Sequence, residues 1–221
     1  MKTGKFFKSC AVILSTVFTA GSLIYAAILK SAVKIPLGQE FCFLVSSSKS
    51  VEACVLDVKK SGGAGYLLED KNGEKVAVSV YFSDALAQDV MLENKGVYDG
   101  LGTLAKRCDA LYLTSSRQKR LAGKIRADFA NAYQNIVFLN STIEELENGA
   151  TQESIKRSLG ALKENLSCLS KVCVKELVEP CKRAESGVAE AVNGVVTASS
   201  LRYVLCEFCD DYAESVAKYR L

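Results

Sequence analysis

The chain has 221 residues, of which 24% are charged, with no His, no Trp and only two Pro. Without His, the commonest general base and the commonest metal ligand are both missing, which weighs against hydrolases and zinc enzymes. The formal charge of +3 hides an asymmetry: residues 1–34 hold five Lys and no acid, while the rest carries 23 basic and 25 acidic residues. The body is therefore not a basic nucleic-acid binder, and no nucleic-acid partner is expected.

Twenty-one residues without a charge, Ser9 to Leu29, lie between Lys8 and Lys30. About twenty apolar residues cross a bilayer as a helix, so residues 9–29 are expected to form a single-pass anchor. Lys2, Lys5 and Lys8 precede the span and Lys30 and Lys34 follow it. That balance favours a cytoplasmic N-terminus and an extracytoplasmic body. A cleaved signal peptide is the rival reading; Phe18-Thr19-Ala20 and Tyr25-Ala26-Ala27 each place an aromatic where cleavage wants a small residue. Beyond Cys10 lie Cys42, Cys54, Cys108, Cys168, Cys173, Cys181, Cys206 and Cys209. Two readings of them stand side by side: disulfides of an oxidising compartment, or small hydrophobes on apolar faces.

Ile35 to Gly38 reads as a spacer and Phe41 to Ser46 as an apolar strand. Ser47 to Ser50 leads into a helix over Val51 to Lys60, with Val51, Cys54, Val55 and Val58 at helical spacing and Gly62-Gly63 closing it. Tyr66 to Leu68, the turn Asp70 to Gly73, and Lys75 to Phe82 form a hairpin, with Val76, Val78 and Val80 expected on one face. Ser83 or Asp84 caps a helix from Ala85 to about Asn94. Val97 to Arg107 either extends that helix or adds a short turn, and Ala110 to Thr114 supplies a fourth strand. The order β-α-β-β-α-β is that of a split βαβ, ferredoxin-like sheet.

Lys75-Val76-Ala77-Val78-Ser79-Val80-Tyr81-Phe82-Ser83-Asp84-Ala85-Leu86-Ala87 resembles the half-motif of SPOR domains, peptidoglycan-binding modules of the bacterial envelope; Phe41 to Ser48 with Ala53 resembles the other half. Ser79-Val80 stands where the family has Gly-Pro, and Phe43, Leu44 and Val45 stand where Gln and Gly are usual. The resemblance implies a sheet whose exposed face binds glycan strands, here through Ser46, Ser79, Tyr81 and Tyr112, with a role in cell division or sporulation. Rings and hydroxyls suit sugars; the plainer reading is that both tyrosines pack against the helical tail.

From Lys119 the period changes. Leu121, Ile125, Phe129, Ala132, Ile136, Leu139, Ile143 and Leu146 form one stripe, stopped at Asn148-Gly149. Thr151 caps a second helix in which Ile155, Leu159, Leu162, Leu166, Leu169 and Cys173 alternate by fours and threes, a coiled-coil seam. Pro180 and Gly187 disturb the continuation, and residues 188–216 are expected as a third helix kinked near Asn193-Gly194.

Cys206-Glu207-Phe208-Cys209 lies inside a predicted helix, so core packing or a disulfide is expected there and no metal. Ser46-x-x-Lys49 recurs as Ser31/Lys34, Ser116/Lys119 and Ser215/Lys218 and marks nothing. The expectation is an α+β chain in three parts: tail and transmembrane anchor (1–34), SPOR-like domain (35–116) and antiparallel helical bundle (117–221). It needs no cofactor and is not an enzyme. Its partners would be peptidoglycan glycan strands, the membrane through residues 9–29, and either a protein partner or a second copy through helices 119–221. The alternative is a membrane-tethered helical scaffold that binds a protein partner.

Overall fold

The computed structural model describes residues 31–220 apart from 48, 49, 71, 72 and 95. The expected span, residues 9–29, lies outside the described residues, among which no helix is long and apolar enough to cross a membrane. The fold is α+β. Its elements are β1 (Val33–Ser46), α1 (Val51–Lys60), β2 (Tyr66–Asp70), β3 (Gly73–Tyr81), α2 (Asp84–Glu93), β4 (Gly102–Leu113), α3 (Ser116–Arg120), α4 (Ala122–Glu147), α5 (Gln152–Val172), α6 (Lys175–Asn193) and α7 (Ala198–Ala217). The four strands form one antiparallel sheet in the order β2-β3-β1-β4.

Local chemistry places the helix ends. Ser50 accepts from the Ala53 amide at 3.4 Å, Thr151 from Ser154 at 3.2 Å, and Thr197 forms a capping box with Ser200. Gly62, with φ +85°, ends α1 in a conformation that side-chain-bearing residues rarely adopt.

The strands differ from expectation in three ways. The spacer is part of β1: the strand shifts register between Pro36 and Gln39, with Gly38 at φ +66°. Residues 102–107 are strand, neither helix nor turn. Their charges find partners there, since Arg107 lies opposite Glu40 and donates to it at 2.7 Å, and Lys106 reaches Asp210 of α7. Thirdly, Val76, Val78 and Val80 do not share a face. A register shift pairs Leu44 with Ser79 but Val45 with Ala77, so Val78 is the extra residue of a bulge. Val76 and Val78 pack under α1, while Val80 joins the core on the other side.

The tail holds four long helices where three were expected. Gly194 ends α6 and Thr197 starts α7, so the expected kink is a full break. Pro180 and Gly187 both sit inside α6. Helices α4 and α7 cover the sheet face opposite α1 and α2, and one continuous apolar core runs from Phe41, Phe43, Leu111 and Leu113 of the sheet into all four helices. Tyr212 of α7 is its hub, edge-on to Phe41 at 5.7 Å and Phe129 at 5.5 Å. Its hydroxyl donates to Gln39 Oε1 at 2.7 Å. Such ring pairs add about 0.5–1.5 kcal/mol each beyond the area they bury.

Candidate functional site

Three of the four residues proposed for glycan lie on the sheet face beneath α1 and α2. Ser46 is 2% exposed and donates to the Asp99 carbonyl at 2.6 Å; Ser79 is 8% exposed. Tyr81 is half-buried against the same small core as Cys54 and Val58. Tyr112 pairs with Lys34 and Tyr81 with Cys42 along β1, eight residues apart, or roughly 26 Å. The four are thus not gathered on one exposed surface. Alternation groups residues by face, but covering helices decide which face meets water.

The charged groups inside the fold are matched to one another. Asp210 accepts from Lys106 of β4 and from the Tyr66 hydroxyl of β2 at 3.2 Å, pinning α7 across the sheet. Arg183 holds Asp211 with two bonds of 2.8 and 2.6 Å. Burial nevertheless pushes the Asp211 carboxyl up to about 6, with Arg183 opposing the shift. A cleft of about 620 Å³ between α1, α6 and α7 is bordered by Lys59, Arg183, Glu190, Tyr203 and Glu207. Several of its groups are already engaged: the Lys59 ammonium sits 5.4 Å over the Tyr203 ring and the Ser199 hydroxyl donates to the Gly63 carbonyl at 2.6 Å. Among the described residues, no hydroxyl in this cleft donates to a side-chain base.

All eight described cysteines are free thiols. Burial raises Cys42 to about 11 and Cys108 to about 12, and pushes Cys206 and Cys209 upward. These thiols are packing groups, since reactivity needs the thiolate. Among the described residues no cluster of three or more His, Cys, Asp or Glu is arranged to hold a metal ion.

A groove of about 520 Å³ between α4 and α5 is lined by Asn131, Gln134, Asn135, Phe138, Asn165, Cys168, Leu169 and Val172, none of them charged. Its rim exposes Phe138 (41%) and Val172 (62%), next to Val137 (43%). The groove exists because the buried stripe of α4, from Ile125 through Phe129, Ala132 and Ile136 to Ile143, points inward. Residues 137 and 138 are off that stripe. An apolar Val-Phe pair outside the helix's own buried face was the signal in the sequence, and stripe counting passes over it.

No family model matches this chain, and no curated protein or solved structure matches it either.

Proposed function

We propose that the chain is a membrane-tethered, non-catalytic scaffold that binds a protein partner in the α4/α5 groove. The observation that carries this reading is the groove itself: an uncharged lining with a half-exposed Phe138, in a chain of which 24% is charged. Interface centres are depleted in charge and anchored by aromatic residues, and a partner helix laid into such a groove reads them as anchors. The apolar stretch 9–29 supplies the tether. A photo-crosslinking residue at position 138 of the full chain, compared with one at the exposed Leu67, tests it in cells. A discrete protein adduct at 138 that disappears with Val172→Glu is expected; equal labelling at both positions would remove the proposal.

A second reading is favoured by one observation. The element order β-α-β-β-α-β with strand order β2-β3-β1-β4 is the ferredoxin-like arrangement that SPOR-like modules use. Peptidoglycan binding would then run through a surface other than the sheet faces, because α1 and α2 cover one and α4 and α7 the other. Retention of the full chain on purified sacculi checks this; a chain that washes through leaves only the scaffold.

A further inference from the structure

Seven chain segments end at the same pole of the molecule. Val33 of β1 pairs with Leu113 of β4, and α3 follows three residues later. The Tyr112 amide donates to the Tyr219 carbonyl at 2.9 Å, which brings the end of α7 there. Lys124, in the first turn of α4, donates to the Val172 carbonyl at the end of α5, and the Val174 amide ahead of α6 donates to Asp128 of α4 at 2.9 Å. The chain leaves this pole towards residues 9–29.

The pole is basic. Lys34, Arg117, Arg120, Lys171, Lys175 and Lys218 are all exposed there, and among the described residues none of them forms an ion pair. Two of the acids nearby are occupied: Asp128 is buried against Lys124, and Glu176 accepts from the Tyr219 hydroxyl at 2.9 Å. Asp109 and Glu214 line a side groove with Arg107 and Arg220. Three apolar side chains stand exposed among the cations, Val33 and Leu121 at 40% and Val172 at 62%. The opposite end, at the β2–β3 hairpin and the α4–α5 connection, exposes Glu69, Glu74, Glu144 and Glu145, with Glu153 paired to Arg157. Unpaired cations are therefore gathered at the pole where the described chain begins.

We propose that this pole docks flat on the bilayer surface, its lysines and arginines on anionic phospholipid headgroups and Leu121 inserted between them. This rests on the reading of residues 9–29 as a membrane anchor. Cations clustered beside an anchor are drawn to anionic lipid within a Debye length, and an exposed Leu among them gains by entering the interface. Docking would fix the body's orientation and present the α4/α5 groove side-on to the membrane.

The absence of Trp supplies a clean probe. The full chain carrying Leu121→Trp is reconstituted into phosphatidylcholine vesicles with brominated acyl chains, with and without phosphatidylglycerol. The indole at 121 should be quenched at least about twofold more in the anionic vesicles. An indole at 67 (Leu67→Trp), at the opposite end, should show no such difference. Raising salt from about 0.01 M to about 1 M, which shortens the Debye length from about 30 Å to about 3 Å, should abolish the excess without any mutation. Arg117→Glu with Arg120→Glu and Lys171→Glu should do the same. Quenching at 121 that is equal in the two vesicle types, or indifferent to salt, overturns the docking proposal. Flotation after alkaline carbonate reports separately on the anchor: a chain that floats with both vesicle types but shows no anionic excess loses the docking alone. A chain that floats with neither loses both.

Discussion

Ser215 of α7 donates its hydroxyl to the Glu176 carbonyl of α6 at 2.8 Å. That carbonyl is the acceptor which the residue four places on would normally satisfy, and that residue is Pro180, which has no N–H. A proline that would disrupt an isolated helix is accommodated here because the neighbouring helix supplies the missing donor. Ser215→Ala should cost about 1–3 kcal/mol, the range for leaving a buried acceptor unpaired. In a Pro180→Ala background, where the amide returns, the same substitution should cost clearly less. Denaturant unfolding of the four proteins measures it, and strict additivity would refute the coupling.

Gly187 marks a second contact between the same helices. A Cβ there would lie 2.6 Å from Val204 Cγ2, so α6 and α7 approach as closely as they do because this side chain is absent. Gly187→Ala is expected to destabilise by about 1–3 kcal/mol through overpacking. With Val204→Ala the clash is gone and the same change should become favourable by up to about 1 kcal/mol, the helix preference of Ala over Gly. Thermal melts of the single and double variants would show the change of sign.

Asp211 gives the fold a pH dependence. Its folded value of about 6 lies above the ordinary carboxylate value, so the folded state holds this proton more tightly than the unfolded chain does. The group's contribution to stability is complete below about pH 4 and is lost as pH rises to about 6. Asp211→Asn, which cannot ionise, should therefore gain stability relative to the parent chain across that window. Arg183→Ala removes the opposing cation and should extend the parent's loss to higher pH. Midpoints of urea unfolding between pH 4 and 7 would reveal a flat difference if Asp211 does not titrate there.

The shared core makes a further demand. Phe41, Phe43, Leu111 and Leu113 of the sheet are fully buried, or within 1% of it, beneath α4 and α7. A fragment ending at residue 116 would expose them and should not hold its sheet, whereas the full chain should unfold in one transition. Amide exchange on the fragment tests this; protected amides in β1 and β3 would show that residues 33–116 stand alone. For the same reason, deleting either half cannot assign function to one part of the chain, and point substitutions such as those at 138 and 172 are needed.

Much of the local structure follows from the residues alone. The bounds of α1 and the caps at Ser50 and Thr151 come from side chains that satisfy the nearest free amides, and the α5 seam comes from a period written over twenty residues. The β-α-β-β-α-β order was legible because each element has its own periodicity and punctuation. What the neighbours of an element do was not. Residues 102–107 are a strand because they pair residue by residue with Glu40 to Val45 of β1, where Arg107 and Lys106 also find Glu40 and Asp210. Pro180 is accommodated in a continuous helix because Ser215 supplies the donor it lacks, and Gly187 is required there because Val204 lies opposite it. Ser46 and Ser79 are interior because α1 and α2 fold back over their face of the sheet, and the Val137-Phe138 pair is exposed because α4 turns its other side inward. Propensity and pattern act within a turn or a strand, so the sequence by itself determined the elements whose pattern is unbroken: α1, the β2–β3 hairpin, α2, α4 and α5. Burial is decided by what packs from elsewhere, so only the tertiary structure decided which surfaces remain available to a partner.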